Sequence, residues 1–414
     1  MKVLMLQGYY EPERVSGMYL ITNLVEDLNL QDHEVDIVTP RPVRGISKEI
    51  QLKYKNIKKE VKSNGMLRIH RYKLPEENKN TVVRAIRYFS GGILHIIKSL
   101  NIQSDVIVVN STPPTNGLIA IILKKIKKIP VVYILQDVFP DSMVTAKMTK
   151  EGSLIWKIGR MLENFTYKNV DKIIVISEDF KSNLLKKGVT KEKISVVSNW
   201  VEESKIIPIQ RDENVLIKEL NLDKDKFYVV YAGNLGNAQN IEVILLAAKQ
   251  TEEYNDIQYI IFGDGVHKDK YKQMAIDLNL KNVNFQPLQP YDKVSHVYSL
   301  GDLSIVSCKE GFGTSAMPSK TWSIMSTETA VVASFDEGTE LEEIIENNNI
   351  GIFTNANDTD GLKNAIVKLY SNRNLCNEMG KNGREYIIKN LSRKSQTKKY
   401  IEIISNLGGK KNYV

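Results

Sequence analysis

Two cysteines, Cys308 and Cys376, stand far apart in 414 residues. So few thiols argue against a disulfide scaffold and against a thiolate metal site. The five histidines are dispersed and lack ligand spacing, so no metal is expected. No uninterrupted apolar run reaches the roughly 18 residues of a spanning helix. The start, Met1 to Leu6, runs too quickly into Gly8 and Glu11 to read as a signal peptide, so a cytoplasmic protein is expected. Neither a GxGxxG fingerprint nor a Walker loop occurs, which argues against nicotinamide, flavin and P-loop chemistry; no cofactor is expected. Repeats and low-complexity tracts are also missing.

What is present is an ordinary globular mixture, 42% hydrophobic and 26% charged, too long for one core and therefore read as two domains. The net charge of +8 fits an anionic ligand, nucleic acid or an anionic membrane face without choosing among them; a merely Lys-rich soluble protein fits equally. The charge is spread over both halves and no recognition motif accompanies it, so nucleic acid is not expected as a partner.

Strand-like runs alternate with helical patterns, the mark of parallel sheets covered by helices. Strands are expected at Lys2–Gln7, His33–Thr39, Asp105–Val109, Val131–Leu135, Lys172–Ile176 and Ile194–Val197, and helices at Met18–Leu28, Thr81–Leu100 and Ser153–Tyr167. Residues 41–80 read as a polar excursion with one short strand, Leu67–Tyr72. Residues 201–214 read as a linker. The pattern then restarts with strand Phe227–Ala232, a Gly/Asn loop, helix Ile241–Gln250 and strand Gln258–Phe262. Two Rossmann-like α/β domains follow, about 1–200 and 215–390, with a last helix (391–414) able to return to the first.

In such sheets ligands bind beyond the carboxyl ends of the strands, where glycine loops let backbone N–H groups approach phosphate. Gly8 to Gly17, Gly233 to Gly236 and Gly263 to Gly265 qualify, though each also reads as a tight turn. The richest segment is Glu310-Gly311-Phe312-Gly313-Thr314-Ser315-Ala316-Met317-Pro318-Ser319-Lys320, after the apolar run Leu303–Val306. Glu310 can accept hydrogen bonds from sugar hydroxyls, the turn's N–H groups can meet phosphate oxygens, and Lys320 can neutralise a leaving diphosphate. The structural alternative is a surface loop with Pro318 opening a helix. Asp137, after another strand, is a candidate acceptor-side carboxylate or an Asx turn ahead of Pro140. Asp223-Lys224-Asp225 and Asp358-Thr359-Asp360 match a metal-binding Asp-x-Asp superficially, but the first sits in a turn and the second caps a helix. The helix 81–100 carries Ile86, Phe89, Ile93, Ile97 and Leu100 at helical spacing with Arg84, Arg87 and Lys98. This stripe is expected to pack on the sheet; a peripheral membrane contact is the other reading.

The segment from Glu310 to Lys320 resembles the donor-site signature of family 4 glycosyltransferases, whose fold is GT-B: two Rossmann-like doubly wound domains facing a cleft. Tyr231-Ala232-Gly233-Asn234-Leu235-Gly236 resembles the opening of their second domain, Phe262-Gly263-Asp264-Gly265 their nucleotide loop, and Val283 to Leu288 the strand beside the base. Asn199 and Glu163 also match family positions. Two positions depart: Pro318 stands where the family's second Glu holds the ribose, and Asn237 and Gln239 replace an Arg and a Lys. The Pro318-Ser319-Lys320 version resembles the branch that builds bacterial surface polysaccharide, including N-acetyl-fucosamine transferases. The resemblance implies a metal-independent, retaining transfer from a nucleotide-sugar, UDP-linked, to a glycan or polyprenyl-diphosphate-linked acceptor. It implies catalytic roles for Glu310, Asp137 and Lys320. Donor contacts are implied for Gly17, Gly233, Asn234, Gly236, Gly263, Leu288, Gly311, Phe312, Gly313 and Ser319. A nucleotide-sugar epimerase of the same fold and a non-catalytic basic binding protein are the alternatives.

Overall fold

A computed structural model describes residues 1–13, 15, 17–75, 81–145, 148–313 and 317–409; within 81–88 only the side chain of Arg87 is described. The chain forms two compact units, Met1–Ser198 with Gln396–Val414, and Asn199–Ser395.

The first unit holds an eight-stranded sheet. Its strands are β1 (Lys2–Leu6), β2 (Glu34–Pro40), β3 (Lys59–Lys62), β4 (Leu67–Tyr72), β5 (Val106–Asn110), β6 (Val131–Leu135), β7 (Lys172–Val175) and β8 (Ile194–Val196), in the order β3-β4-β2-β1-β5-β6-β7-β8. All pairs are parallel except β3 with β4. Buried Val, Ile and Leu fill the central strands because helices cover both faces. The polar excursion contains more than expected: a helix, Lys48–Tyr54, capped by Ser47, and the edge strand β3. That helix buries no residue and β3 lies at the sheet edge, so neither needs the apolar period that reveals an element in sequence.

The second unit holds six parallel strands, β9 (Phe227–Asn234), β10 (Ile257–Asp264), β11 (Val283–Gln286), β12 (Leu303–Ser307), β13 (Ala330–Phe335) and β14 (Gly351–Asn355), ordered β11-β10-β9-β12-β13-β14. Residues 201–214, expected as a linker, are pinned to this unit. The N–H groups of Ile207 and Ile209 donate to Ser295 Oγ and Ser299 Oγ at 3.1 and 2.9 Å, and Arg211 pairs with Asp302 at 2.8 Å. Such side-chain anchors leave no periodic trace. The last helix, Arg393–Gly408, joins the first unit from Gln396 onward, where Tyr400, Ile401 and Ile404 are buried; 410–414 lie outside the described residues.

Three helices of the first unit, Thr81–Ser99, Asn116–Lys127 and Leu154–Asn169, lie side by side, the middle one touching both others. The expected packing of the 81–100 stripe is overturned for every described member. Phe89 is 74% exposed, and Ile93, Ile97 and Leu100 are also exposed. The face turned inward is Gly91, Gly92, His95 and Ser99. A Cβ on Gly92 would sit 3.1 Å from Ile119, so glycine lets the two helices approach closely. Ile86 and Arg84 lie outside the described side chains. Among the described residues no helix is long and apolar enough to cross a membrane.

Candidate functional site

In the second unit all six strands run the same way, so their carboxyl ends gather on one edge of the sheet. Gly233 and Asn234 close β9, Gly263 and Asp264 close β10, Glu310 follows β12, Asp336 follows β13 and Asn357 follows β14. The ends of β9 and β10 are paired further than expected, Gly263 with Gly233 and Asp264 with Asn234. A Cβ on Gly263 would lie 2.7 Å from the Gly233 carbonyl oxygen, and one on Gly265 would lie 2.6 Å from that of Leu235. These glycines permit two backbones to touch. A Cβ on Gly236 would meet the end of the exposed Asn234 side chain at 2.5 Å, which that amide can relieve by turning aside.

Glu310 is exposed, and its Oε2 accepts from Asn357 Nδ2 at 3.2 Å. Asn240 Nδ2 donates in turn to Asn357 Oδ1 at 2.7 Å, while Asn240 caps the helix Ile241–Gln250. Glu310 is thus oriented through two amides anchored at a helix start. The loops are laced together by the Lys309 N–H, which donates to the Ala238 carbonyl at 2.9 Å.

The N–H groups expected to await phosphate are already engaged. Those of Gly311 and Gly313 donate to the Asp336 carboxylate at 3.0 and 2.7 Å, and that of Phe312 donates to the Lys309 carbonyl at 3.2 Å. Asp336 was not legible as a site residue; its only signal is an acid directly after a buried strand. Thr314, Ser315 and Ala316 lie outside the described residues. Ser319 is exposed and precedes the helix Lys320–Ser326 without a side-chain capping bond, and Leu288 is exposed beyond β11.

Lys320 is half-buried, and its ammonium lies 4.0 Å from the centre of the Tyr231 ring. A Cβ on Gly233 would come within 3.4 Å of that nitrogen. Among the described residues no carboxylate or carbonyl is hydrogen-bonded to it. Burial lowers this ammonium to about 7, with the Cys308 thiol opposing. Lysine so placed is poised to gain a proton when an anion arrives. Cys308 and Cys376 are free and buried, and burial pushes both thiols up to about 12.

In the first unit Gly17, in the left-handed region at φ 73°, precedes the helix Met18–Leu30. Asp137 follows β6 and is solvent-exposed at its rim, yet it lines a cavity with Tyr133, Phe139 and Glu163. Desolvation raises its carboxyl, and a hydrogen bond with Ser142 opposes the rise. Glu163 is a buried hub: it accepts from Tyr167 at 2.7 Å and pairs with Lys187 at 2.9 Å and Arg160 at 2.5 Å, and both cations also hold Asp141. The Asp-x-Asp pairs do local structural work, Asp223 accepting from the Asp225 N–H at 2.9 Å and Asp358 from the Gly361 N–H at 2.8 Å.

Known proteins bear on this geometry. Residues 212–386 match the family model for glycosyl transferases group 1, and residues 19–205 match that for glycosyltransferase family 4. A probable glycosyltransferase, WbjE of Pseudomonas aeruginosa, is 26% identical over 72% of this chain and 75% of its own. An uncharacterized glycosyltransferase of Methanocaldococcus jannaschii is 24% identical over 98% of both. Among solved structures, sucrose-phosphate synthase from Thermosynechococcus elongatus superposes with a TM-score of 0.77 at 16% identity over 99% of both chains. HepE of Anabaena, solved in complex with UDP, gives 0.74 at 14% identity over 98% of this chain and 100% of its own. With matched models over both halves and two parallel-sheet units, the chain is a glycosyltransferase of GT-B fold.

Proposed function

We propose that this enzyme is a retaining, metal-independent transferase. It moves a sugar of the N-acetyl-deoxyhexosamine class from a UDP-linked donor to a saccharide or lipid-linked acceptor in surface-polysaccharide assembly. One observation carries the donor half: an ammonium without a hydrogen-bonded acceptor among the described residues lies beside Gly233, at the carboxyl edge of a parallel sheet where such folds bind ligands. Lys320 would meet the leaving diphosphate and gain its full charge there. Glu310, aimed through Asn357, would take donor-sugar hydroxyls. Donor phosphate would exchange with Asp336 at Gly311 and Gly313, and Ser319, Gly236 and Leu288 would line the nucleotide. In the first unit Asp137, its carboxyl raised, would hold the acceptor hydroxyl, and Gly17 would give a backbone contact. A putative colanic acid transferase of Escherichia coli, 27% identical over 54% of this chain, and the UDP-bound HepE support the polysaccharide and UDP assignments.

The exposed apolar face of the three adjacent helices supports a peripheral membrane contact. Besides Phe89 and Ile97 it presents Ile122, Ile126, Leu154, Ile158 and Met161. By sequence these helices carry nine basic side chains and one acid, Glu163; Arg87 is buried and Arg160 is paired with Glu163 and Asp141, and the remaining seven suit an anionic lipid surface.

Thermal melts with UDP, GDP, ADP, CMP and dTDP test the donor reading. UDP should raise the midpoint most, because a ligand bound only by the folded state stabilises by mass action. Lys320→Ala should abolish that rise; an unchanged rise would refute the role given to Lys320. Turnover of a UDP-sugar without any acceptor would favour an epimerase instead.

A further inference from the structure

Behind Glu310 stand two asparagines whose hydrogen-bond sense is fixed by the fold. Asn240 is 3% exposed and directly precedes the helix Ile241–Gln250. The Val243 N–H donates to its side-chain oxygen at 3.4 Å. A backbone N–H can only donate, so the Asn240 atom facing it is the oxygen, and the far end is the NH2 group. That NH2 donates in turn to the Asn357 oxygen at 2.7 Å. Asn357 therefore turns its own NH2 toward Glu310, whose Oε2 accepts at 3.2 Å. Donor sense thus passes from a helix start through two amides to one carboxylate oxygen.

The backbone holds the middle of this relay in place. Asn357 lies between β14 and the helix Thr359–Ser371, with φ at 69°. Asparagine accepts left-handed backbone at less cost than most side chains. Its carbonyl accepts from the Thr359 N–H at 3.1 Å, and its neighbour Asp358 caps the helix. The other acids at this edge of the sheet are spent elsewhere. Asp336 accepts from the N–H groups of Gly311 and Gly313, Asp358 from that of Gly361, and Glu337 from the Asn355 amide. Among the described residues Glu310 has no ion pair, and its Oε1 has no hydrogen-bond partner. One oxygen is thus anchored and the other left to accept.

We propose that Asn240 and Asn357 are positioning residues of the transfer: their one-way relay aims Glu310 so that Oε1 selects a hydrogen-bond donor, a hydroxyl or an amide N–H, on the transferred sugar. The contact between Glu310 and that sugar rests on the function proposed above; the relay itself does not.

Reversing the relay tests this. Asn240→Asp keeps an oxygen for the Val243 N–H, and Asp caps a helix as well as Asn, so the melting temperature should stay nearly unchanged. The second carboxylate oxygen can only accept, so Asn357 must turn its NH2 back toward position 240 and its oxygen toward Glu310. In a crystal structure of this variant without ligand, Glu310 should leave Asn357. Glu310→Gln alone has the opposite fault: its amide oxygen takes the Asn357 NH2, and its own NH2 faces the sugar. In the double variant the new amide donates to the Asn357 oxygen and again offers an oxygen to the sugar. Calorimetry on the full chain uses UDP and whichever of UDP-glucose, UDP-galactose and UDP-N-acetylglucosamine the wild type binds best. Each single variant should weaken that sugar nucleotide about tenfold, the size of a lost hydrogen bond to a charged group, and leave UDP unchanged. The double variant should recover most of the loss. Should Asn240→Asp fail to fold, Asn357→Asp, which sets a carboxylate against Glu310 and keeps the bond from Asn240, must give the same tenfold loss with UDP unchanged. A double variant weaker than either single one, a sugar nucleotide affected no more than UDP, or Glu310 still bonded to Asn357 in Asn240→Asp overturns the proposal. A side chain at 310 that leaves Asn357 in Asn240→Asp and returns in the double variant, in a protein that binds none of these nucleotides, would uphold the relay and reject the donor reading instead.

Discussion

Two bases lowered by desolvation, the buried His95 and the half-buried Lys320, set the pH behaviour in different windows. His95 is lowered to about 4 because burial penalises its charged form more than the Val38 and Gln7 backbone groups support it. Its ordinary value is 6.5, so below that the unfolded chain takes a proton the folded one refuses. Folding should lose on the order of 2 kcal/mol from His95 between pH 7 and pH 5. Urea melts at both values should show that loss, and His95→Gln should flatten it. Lys320 has the same sign higher up. Its folded value of about 7 lies below the ordinary 10.5, so stability falls as pH drops through that interval. Lys320→Met should therefore melt above the wild type at pH 7 without ligand, with the difference shrinking toward pH 10.5, and should lose the UDP shift. Equal melting temperatures at pH 7 would mean that this ammonium is well hydrated. Proton uptake on UDP binding near pH 8, read by calorimetry in buffers of different ionisation enthalpy, would report the same charge gain.

At the scale of elements, the β9 and β10 ends meet through glycine contact, and the two kinds of site glycine should separate on substitution. Gly263→Ala forces a Cβ against the Gly233 carbonyl and should cost about 1–3 kcal/mol as overpacking. Gly311→Ala meets nothing within 4 Å but holds φ at 85°, so only backbone strain of about 1 kcal/mol is expected. Denaturant midpoints compare the two directly. The three outer helices invite a second test. Phe89→Ser with Ile97→Ser should reduce co-sedimentation with phosphatidylglycerol vesicles and leave the melting temperature nearly unchanged, because both side chains are already exposed. Unaltered sedimentation would remove this face from membrane docking. The stripe was visible in sequence, but its direction was not, because the glycines and His95 of the opposite face carry the close packing.

For the whole molecule, two sheets with separate cores make ligand effects separable. Hydrogen exchange with UDP should show protection at 233–240, 263–268 and 308–320, and little change within 1–198 outside the loop that holds Gly17. Protection of 72–75 by UDP alone would reassign the nucleotide.

Sequence alone was enough for the two-fold α/β alternation and for the glycosyltransferase resemblance. Buried parallel strands must be continuous apolar runs, and the glycine loops and the segment Glu310 to Lys320 are local patterns. Strand positions were legible to within a residue or two for the same reason. Only the tertiary structure decided which groups meet across the chain. It joined Asp336 to the N–H groups of Gly311 and Gly313, set Asn357 behind Glu310 and laid Lys320 over Tyr231. These partners stand 23 to 89 positions apart, and neither spacing nor composition encodes a distance in space.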